Sequence, residues 1–193
     1  MEVSCLAWEA GRMTEIIMRA LDEDAWAEYR AIRLAALKES PEAFVATHEE
    51  ESALGEDAWR ERMRRSRRLV AEREGALIGV VSVGRAGSEE DNAGELFGLW
   101  VSPAERGAGV AWQLVQAGAD QARSEGRSHL AYWVGTDNGR AVAFASSFGF
   151  RPSGTRRPMR VQSEEDGEEE IAMVLPLGDD RSWTPTSPTS TQG

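Results

Sequence analysis

The segment Leu99–Ala111 constrains the fold of this chain more than any other stretch. An apolar, strand-like run stops before Pro103, a loop containing Gly107 and Gly109 follows, and a helical pattern begins at Val110. A helix start leaves N–H donors unpaired and carries about +0.5 of a charge, so it attracts anions. Glycines let the main chain come close to such an anion. The segment therefore predicts a strand–loop–helix unit that binds a phosphate group.

Three phosphate-binding patterns compete for this loop. A Walker A loop needs a lysine after its second glycine, and the only lysine is Lys38. A dinucleotide fingerprint needs a third glycine where Trp112 stands. The third pattern, Arg/Gln-x-x-Gly-x-Gly/Ala, matches residues 106–111. The third pattern is favoured, and a nucleotide-binding protein stays as a weaker alternative that competition between ATP and coenzyme A would test.

The context of residues 106–111 resembles the GCN5-related N-acetyltransferase superfamily, in which a loop of this form holds the pyrophosphate of acetyl-CoA. Residues 95–101 look like the fourth strand of that family. Asn138 and Ala141, followed by Phe148-Gly149-Phe150, look like its next helix and the Gly-Phe pair that opens the following strand. The resemblance covers roughly residues 13–177.

This resemblance implies one mixed α/β domain over residues 13–178. Its core is expected to be a splayed, mostly antiparallel sheet of about seven strands, flanked by helices. Residues 1–12 are expected to be an N-terminal extension, with Met13 as an alternative start, and residues 179–193 a Ser/Thr/Pro-rich tail too polar to fold.

The resemblance also implies which residues hold acetyl-CoA. Main-chain groups of the fourth strand would contact the pantetheine arm, and one N–H near Leu99 or Trp100 would polarise the thioester carbonyl. Asn138 and Phe144 would contact the far side of the arm. The pyrophosphate would be held by Arg106, Gly107, Ala108, Gly109, Val110 and Ala111, and the arm by Leu99, Trp100 and Val101.

The implied reaction is direct attack of a primary amine, on a small molecule or a peptide, upon the acetyl group. Such an amine is mostly protonated at neutral pH. Glu95 is the candidate general base, acting directly or through water. The alternative is that Glu95 is a strand-end charge facing solvent.

The chain departs from the family pattern at Ala145, where many members carry a tyrosine that protonates the departing thiolate. Ser146, Ser147 and Tyr132 are the alternatives, none of them supported by spacing. This departure keeps a second function open: a catalytically weakened acyl-CoA-binding sensor or interaction module.

Composition excludes several other classes. A net charge of −11 disfavours nucleic acid as a partner; it either steers a cationic acceptor or only keeps the protein soluble. No apolar run approaches the length of a membrane span. A single cysteine, Cys5, fits a cytoplasmic protein. The histidines, His48 and His129, have no metal-ligand spacing, so no metal is expected.

The assembly is expected to be a monomer or a homodimer. The preference for arginine over lysine is typical of a high-GC bacterial genome.

Three further segments have sequence-based expectations. The arginines between residues 60 and 68 are expected to form a solvated face paired with nearby acids, with an anion site as the alternative. The resemblance implies that the region after the first helix lines the acceptor site, which makes residues 40–44 candidates for the acceptor wall. The acidic segment 163–170 is expected to stay solvated, with gathering of cationic substrates as the alternative.

Overall fold

The computed structural model describes residues 15–86, 92–159 and 169–178. Four sequence-based expectations lie outside these residues: the extension 1–12, the alternative start Met13, residues 163–168 of the acidic segment, and the tail 179–193. All other expectations fall on described residues.

The described chain contains both strands and helices, in mixed order. The strands are β1 (Ile17–Leu21), β2 (Arg67–Arg73), β3 (Ala76–Ala86), β4 (Ala93–Val101), β5 (His129–Gly135), β6 (Arg151–Pro158) and β7 (Glu169–Pro176). The helices are α1 (Trp26–Glu39), α2 (His48–Ser52), α3 (Glu56–Arg65), α4 (Val110–Ser124) and α5 (Gly139–Phe148).

Seven strands form one sheet in the order β1-β2-β3-β4-β5-β7-β6. Every pairing is antiparallel except that of β4 with β5, which is parallel. The tight β2–β3 turn uses Glu74 and Gly75, both with positive φ, as a two-residue hairpin of this twist requires. The expectation of a mostly antiparallel sheet of about seven strands is confirmed.

Helices cover both faces of the sheet. On one face, α4 and α5 pack on a core that includes Leu96, Leu114 and Leu130. On the other, α1 and α3 pack on a core that includes Tyr29 and Trp59. The close approach of α4 depends on Gly118, where a Cβ would lie 3.1 Å from a methyl group of Leu96. Because side chains alternate along a strand, neighbouring residues of β4 point toward the two faces of the sheet in turn.

The sheet opens between β4 and β5. Their parallel pairing runs only from Ala93–His129 to Leu96–Tyr132. Beyond Leu96, β4 continues to Val101 paired with β3 alone, so the expected splay is confirmed. A shift of register against β3 lies in the same stretch, where Gly98 has φ +63°. A bulge of this kind bends a strand and redirects its main-chain groups.

One helix was missed at the sequence level. Five-residue α2 begins with a capping box, in which Thr47 Oγ1 accepts from the N–H of Glu50 and the Glu50 side chain accepts from the N–H of Thr47. The Ser/Thr-x-x-Glu signature was present in the sequence. No apolar periodicity accompanies α2, because most of its residues are acidic and exposed.

Candidate functional site

The loop predicted to bind phosphate connects β4 to α4. A short 3₁₀ turn covers Pro103–Glu105, and Arg106 is extended. Gly107 and Gly109 then adopt φ of +83° and +80°, which L side chains rarely adopt. A Cβ at either position would meet no atom within 4 Å. The loop is therefore an open cradle whose backbone shape depends on glycine.

No side chain of the described residues caps the N-terminus of α4. Its N-cap is Gly109, and the first intrahelical bond runs from the N–H of Gln113 to the carbonyl of Gly109 at 3.1 Å. The N–H groups of Val110, Ala111 and Trp112 belong to the first turn and have no acceptor within the helix. A 15-residue helix with free donors beside an open glycine loop suits an anion such as a pyrophosphate.

The side chain of Arg106 folds back beneath this loop. Its Nε donates to the carbonyl of Val101 at 3.0 Å, and its Nη2 donates to Glu39 at 2.7 Å. Trp100 Nε1 also donates to Glu39 at 3.0 Å, and Ser40 donates a further hydrogen bond. These bonds, that of Ser40 foremost, hold the pKa of Glu39 below its usual value. Arg106 thus ties the loop to the end of α1.

The three expected arm-binding residues lie on the splayed part of β4. Leu99 follows Gly98 at the bulge and packs on the α4 core. Trp100 is buried on the opposite face with its indole bonded to Glu39. The carbonyl of Val101 is already bonded to Arg106. Main-chain groups on the β5 side of this stretch face no strand in the described chain.

Helix α5 packs beside the first turn of α4. Asn138 is its N-cap, with Oδ1 accepting from the N–H of Ala141 at 3.0 Å, so one role of this side chain is structural. Phe144 is half-buried and lies edge-on to Trp112 at 6.4 Å between ring centroids. Trp112 is 43% exposed and also contacts Phe148 at 4.6 Å. The exposed Trp112 beside the loop was not anticipated from sequence.

The position where many family members carry a tyrosine lies in the core of this protein. Ala145 is fully buried in the α4 core. Ser147 donates to the carbonyl of Phe144 in its own helix at 2.7 Å, and Ser146 is exposed. Tyr132, by contrast, is the last β5 residue paired with β4, so it stands where the splay begins. Burial raises the pKa of its phenol.

Glu95 lies on the face of the sheet opposite α4. Its neighbour Leu96 points into the α4 core, so Glu95 and Phe97 point toward the side of α1 and α3. Glu95 is half-buried, and Phe97 is 37% exposed. Glu95 is paired with β3 and β5 and precedes Leu96, the last residue of β4 that pairs with β5.

A network of charged side chains covers the same face. Glu51 of α2 is 2% exposed and binds Arg33 of α1 through two hydrogen bonds of 3.0 Å. Arg62 of α3 binds the same carboxylate at 2.9 Å. Burial alone would raise the pKa of Glu51, but the two guanidinium groups outweigh it and the pKa lies below its usual value. The network joins three helices above the sheet.

The expectation for the arginine-rich segment is correct in part. Arg60, Arg64 and Arg65 pair with acids on the surface of α3, and Arg67 pairs with Glu125. The expectation is wrong for Arg68, which belongs to β2 and is 5% exposed. Strand alternation turns Arg68 inward and Arg67 outward, which a charge count along the sequence cannot reveal.

Arg68 is enclosed by aromatic rings. Its Cζ lies 4.5 Å from the ring centroid of Tyr29 and 5.4 Å from that of Phe97. Burial, with the charges of Arg33 and Arg62, lowers the pKa of Arg68. An arginine nevertheless stays protonated at neutral pH.

The candidate acceptor wall at residues 40–44 lies beside this network. Ser40 is buried, Pro41–Ala43 form an exposed 3₁₀ turn, and Phe44 stacks under Arg33 at 4.4 Å. Phe44 is the member of the segment that contacts the charged network.

Replacing Glu51 with glutamine is expected to lower the free energy of unfolding by about 2 kcal/mol, because two guanidinium groups lose their partner. The melting temperature should fall by roughly 4–8 °C. The lowered pKa means that the wild-type contribution exists above about pH 4.3 and is lost as pH falls through the folded-state pKa. Thermal unfolding between pH 3 and pH 7 measures both effects.

The matched control for Glu51 is Glu49→Gln, an exposed position on the same helix. Its stability should change by less than about 0.5 kcal/mol. Equal effects of the two substitutions, or a wild-type advantage that grows on acidification, would contradict a role for the buried network.

Fold and loop together define a class of protein: a mixed α/β domain with a splayed sheet and an open, glycine-containing β4–α4 loop. The family model "Acetyltransferase (GNAT) family" matches residues 18–150. The chain belongs to this family, and the resemblance inferred from its loop is confirmed. A search of curated proteins finds no significant match.

Solved structures agree on the fold. A GNAT-family acetyltransferase from Streptococcus pneumoniae is 18% identical with a TM-score of 0.70, covering 85% of this chain and 100% of that one. The putative acetyltransferase yncA from Salmonella typhimurium, solved with acetyl-CoA, is 21% identical with a TM-score of 0.66, covering 89% and 98%. A ribosomal-protein-alanine N-acetyltransferase from Brucella melitensis is 23% identical with a TM-score of 0.65, covering 83% and 99%.

The described residues contain neither a candidate membrane-spanning helix nor a candidate metal-binding cluster. None of the helices there is long and apolar enough to cross a bilayer. No group of three or more histidine, cysteine, aspartate or glutamate side chains in the same part of the chain is arranged to hold a metal ion.

Proposed function

We propose that this protein transfers an acetyl group from acetyl-CoA to a primary amine by direct attack. The observation that carries the proposal is the open loop at Gly107 and Gly109, followed by the uncapped N-terminus of α4. Bound acetyl-CoA would supply an acetyl group activated as a thioester. The family of the chain and the solved complex of yncA with acetyl-CoA support this cofactor.

Residues on both sides of the splay would hold acetyl-CoA. Main-chain N–H groups from Gly107 to Ala111 would bind the pyrophosphate, with Arg106 fixing the loop through Glu39. Leu99 to Val101 would offer main-chain groups to the pantetheine arm. An N–H near the Gly98 bulge would polarise the thioester carbonyl. Asn138 and Phe144 of α5 would close the far side.

The acceptor amine would lie on the α1–α3 side of β4. Glu95 would accept its proton there, directly or through one water. Because the cofactor loop and Glu95 belong to the two ends of one strand, β4 would align both substrates, and alignment supplies much of the rate in a direct transfer. The acceptor is either a small molecule or a peptide.

The proposal is tested by calorimetry with coenzyme A, followed by thiol release from acetyl-CoA across a panel of amines. We expect binding, and release above background with at least one amine. Tight binding without turnover would favour the sensor or interaction module that Ala145 keeps open. The absence of any heat with coenzyme A, from folded protein, would contradict the loop assignment itself.

Tyr132 is the proposed source of a proton for the departing sulfur. It stands at the start of the splay, and its raised pKa keeps the phenol protonated through the neutral range. Tyr132→Phe is expected to lower kcat about 10- to 100-fold while leaving KM and the Kd for coenzyme A unchanged. Steady-state thiol release and calorimetry measure these quantities; an unchanged kcat would mean that the thiolate leaves without help.

A further inference from the structure

The buried guanidinium of Arg68 is only partly hydrogen-bonded within the described residues. Its Nη2 donates to the carbonyl of Arg62 at 3.0 Å. Its Nε and Nη1 are buried, and neither has a hydrogen-bond partner in the described residues. Buried charged donors without acceptors are unfavourable and uncommon in folded proteins. The described part of the chain therefore leaves two charged donors of Arg68 without an acceptor.

The side chain of Arg68 extends toward the proposed reaction centre. Arg68, Ser82 and Phe97 occupy one row across β2, β3 and β4. The backbones of β2 and β4 are about 10 Å apart, yet the Arg68 Cζ lies only 5.4 Å from the Phe97 ring centroid. Phe97 is 37% exposed. The guanidinium thus lies on the same face of the sheet as Glu95, next to the partly exposed ring of Phe97.

A second guanidinium borders the same space. Nη1 of Arg33 lies 4.0 Å from the point where a Cβ of Gly98 would stand, next to the β4 bulge. The other two nitrogens of Arg33 bind Glu51, which leaves Nη1 directed toward β4.

Arg68 lies close to two other guanidinium groups. Arg33 and Arg62 both bind the buried carboxylate of Glu51. Arg68 itself has no carboxylate partner among the described residues.

We propose that the acceptor amine carries a carboxylate and that Arg68, assisted by Arg33, binds it. The inference rests on the proposed acetyl transfer and names its substrate class: an amino-acid-like zwitterion, with its amine at Glu95 and its carboxylate at Arg68. Glu95 and Phe97 are about 7 Å apart along β4, a separation that a small amino acid and the arginine side chain bridge together. A carboxylate on Nε or Nη1 makes the charge-assisted hydrogen bonds that the chain leaves open.

The test compares α-, β- and γ-amino acids with their carboxamides as acceptors in the thiol-release assay. We expect kcat/KM of the wild type to favour one carboxylate over its amide by about 30-fold. Arg68→Gln should reduce this preference to below about 3-fold, mainly by lowering kcat/KM for the acid. Arg68→Lys should retain part of the preference. The control is Arg65→Gln, whose side chain is 71% exposed on α3; its preference should match the wild type.

Three results would overturn the inference. The wild type could prefer no carboxylate, Arg68→Gln could slow the acid and the amide equally, or the acid preference could survive in Arg68→Gln. The second result is the one expected if Arg68 only packs between Tyr29 and Phe97. If Arg68→Gln does not fold, Arg68→Lys provides the test. The inference then requires that the preference of this variant for the acid over the amide be at least about 3-fold weaker than that of the wild type.

Calorimetry on protein saturated with coenzyme A separates this inference from the proposed function. Each amino acid and its amide are titrated directly. Preferential binding of an acid without any thiol release would contradict the transfer reaction and support the Arg68 site. Thiol release with acids and amides alike, and equal binding of both, would support the reaction and reject the site.

Discussion

Replacing Gly109 with aspartate is expected to reduce the affinity for acetyl-CoA at least about 100-fold while the domain stays folded. The aspartate carboxylate would stand in the open cradle, against the pyrophosphate, and like charges brought together cost several kcal/mol. The same carboxylate at a helix N-terminus is favourable for the protein itself, which offsets part of the strain of φ +80°. Calorimetry measures affinity, and thermal unfolding measures stability.

Two variants separate charge from backbone strain at this position. Gly109→Ala introduces the strain without the charge and should weaken binding far less. Gly126→Asp places the same residue at the opposite end of α4, where φ is +74° and a Cβ would also meet open space. Its acetyl-CoA affinity should equal that of the wild type. Unchanged affinity in folded Gly109→Asp would show that the pyrophosphate binds elsewhere.

Replacing Glu95 with glutamine is expected to lower kcat about 100- to 1,000-fold near neutral pH. An alkylamine with a pKa near 10.4 is protonated there and needs a base. The loss of kcat should be largest at acidic pH and should shrink as pH approaches the pKa of the amine. Near that pH much of the amine is already deprotonated, so it no longer needs Glu95 as a base. A pH–rate profile of both proteins measures the difference.

The control for Glu95 is Glu61→Gln, on the exposed surface of α3. It should leave the profile unchanged. A Glu95→Gln enzyme with the wild-type profile at every pH would remove the role of general base. Equal loss at all pH values would instead indicate that Glu95 orients the acceptor.

Glu39 links the two halves of the proposed active site. It accepts hydrogen bonds from Trp100 of β4 and Arg106 of the cofactor loop, and it ends α1, the helix that carries Arg33. Nothing in the spacing of these residues suggested the link, because 61 and 67 positions separate Glu39 from its two partners.

The amino-acid sequence by itself determined the loop at residues 106–111 and the family. The determinants there are local: two glycines that permit positive φ, a proline that ends a strand, and a helix start within a few residues. The β2–β3 turn at Glu74 and Gly75 was predictable for the same reason. Even α2 carried a local signal, Thr47 and Glu50, although it has no apolar periodicity.

Only the tertiary structure decided which charges are buried on the α1–α3 face, where we propose that the acceptor binds. Arg65, Arg67 and Arg68 are the same residue type, but strand pairing and the packing of α1 bury Arg68 alone among them. Likewise, Glu51 belongs to an acidic run, and its burial follows from Arg33 and Arg62 on two other helices. The burial of a charge depends on contacts between residues that are distant in sequence, and these exist only once the sheet and its helices have packed.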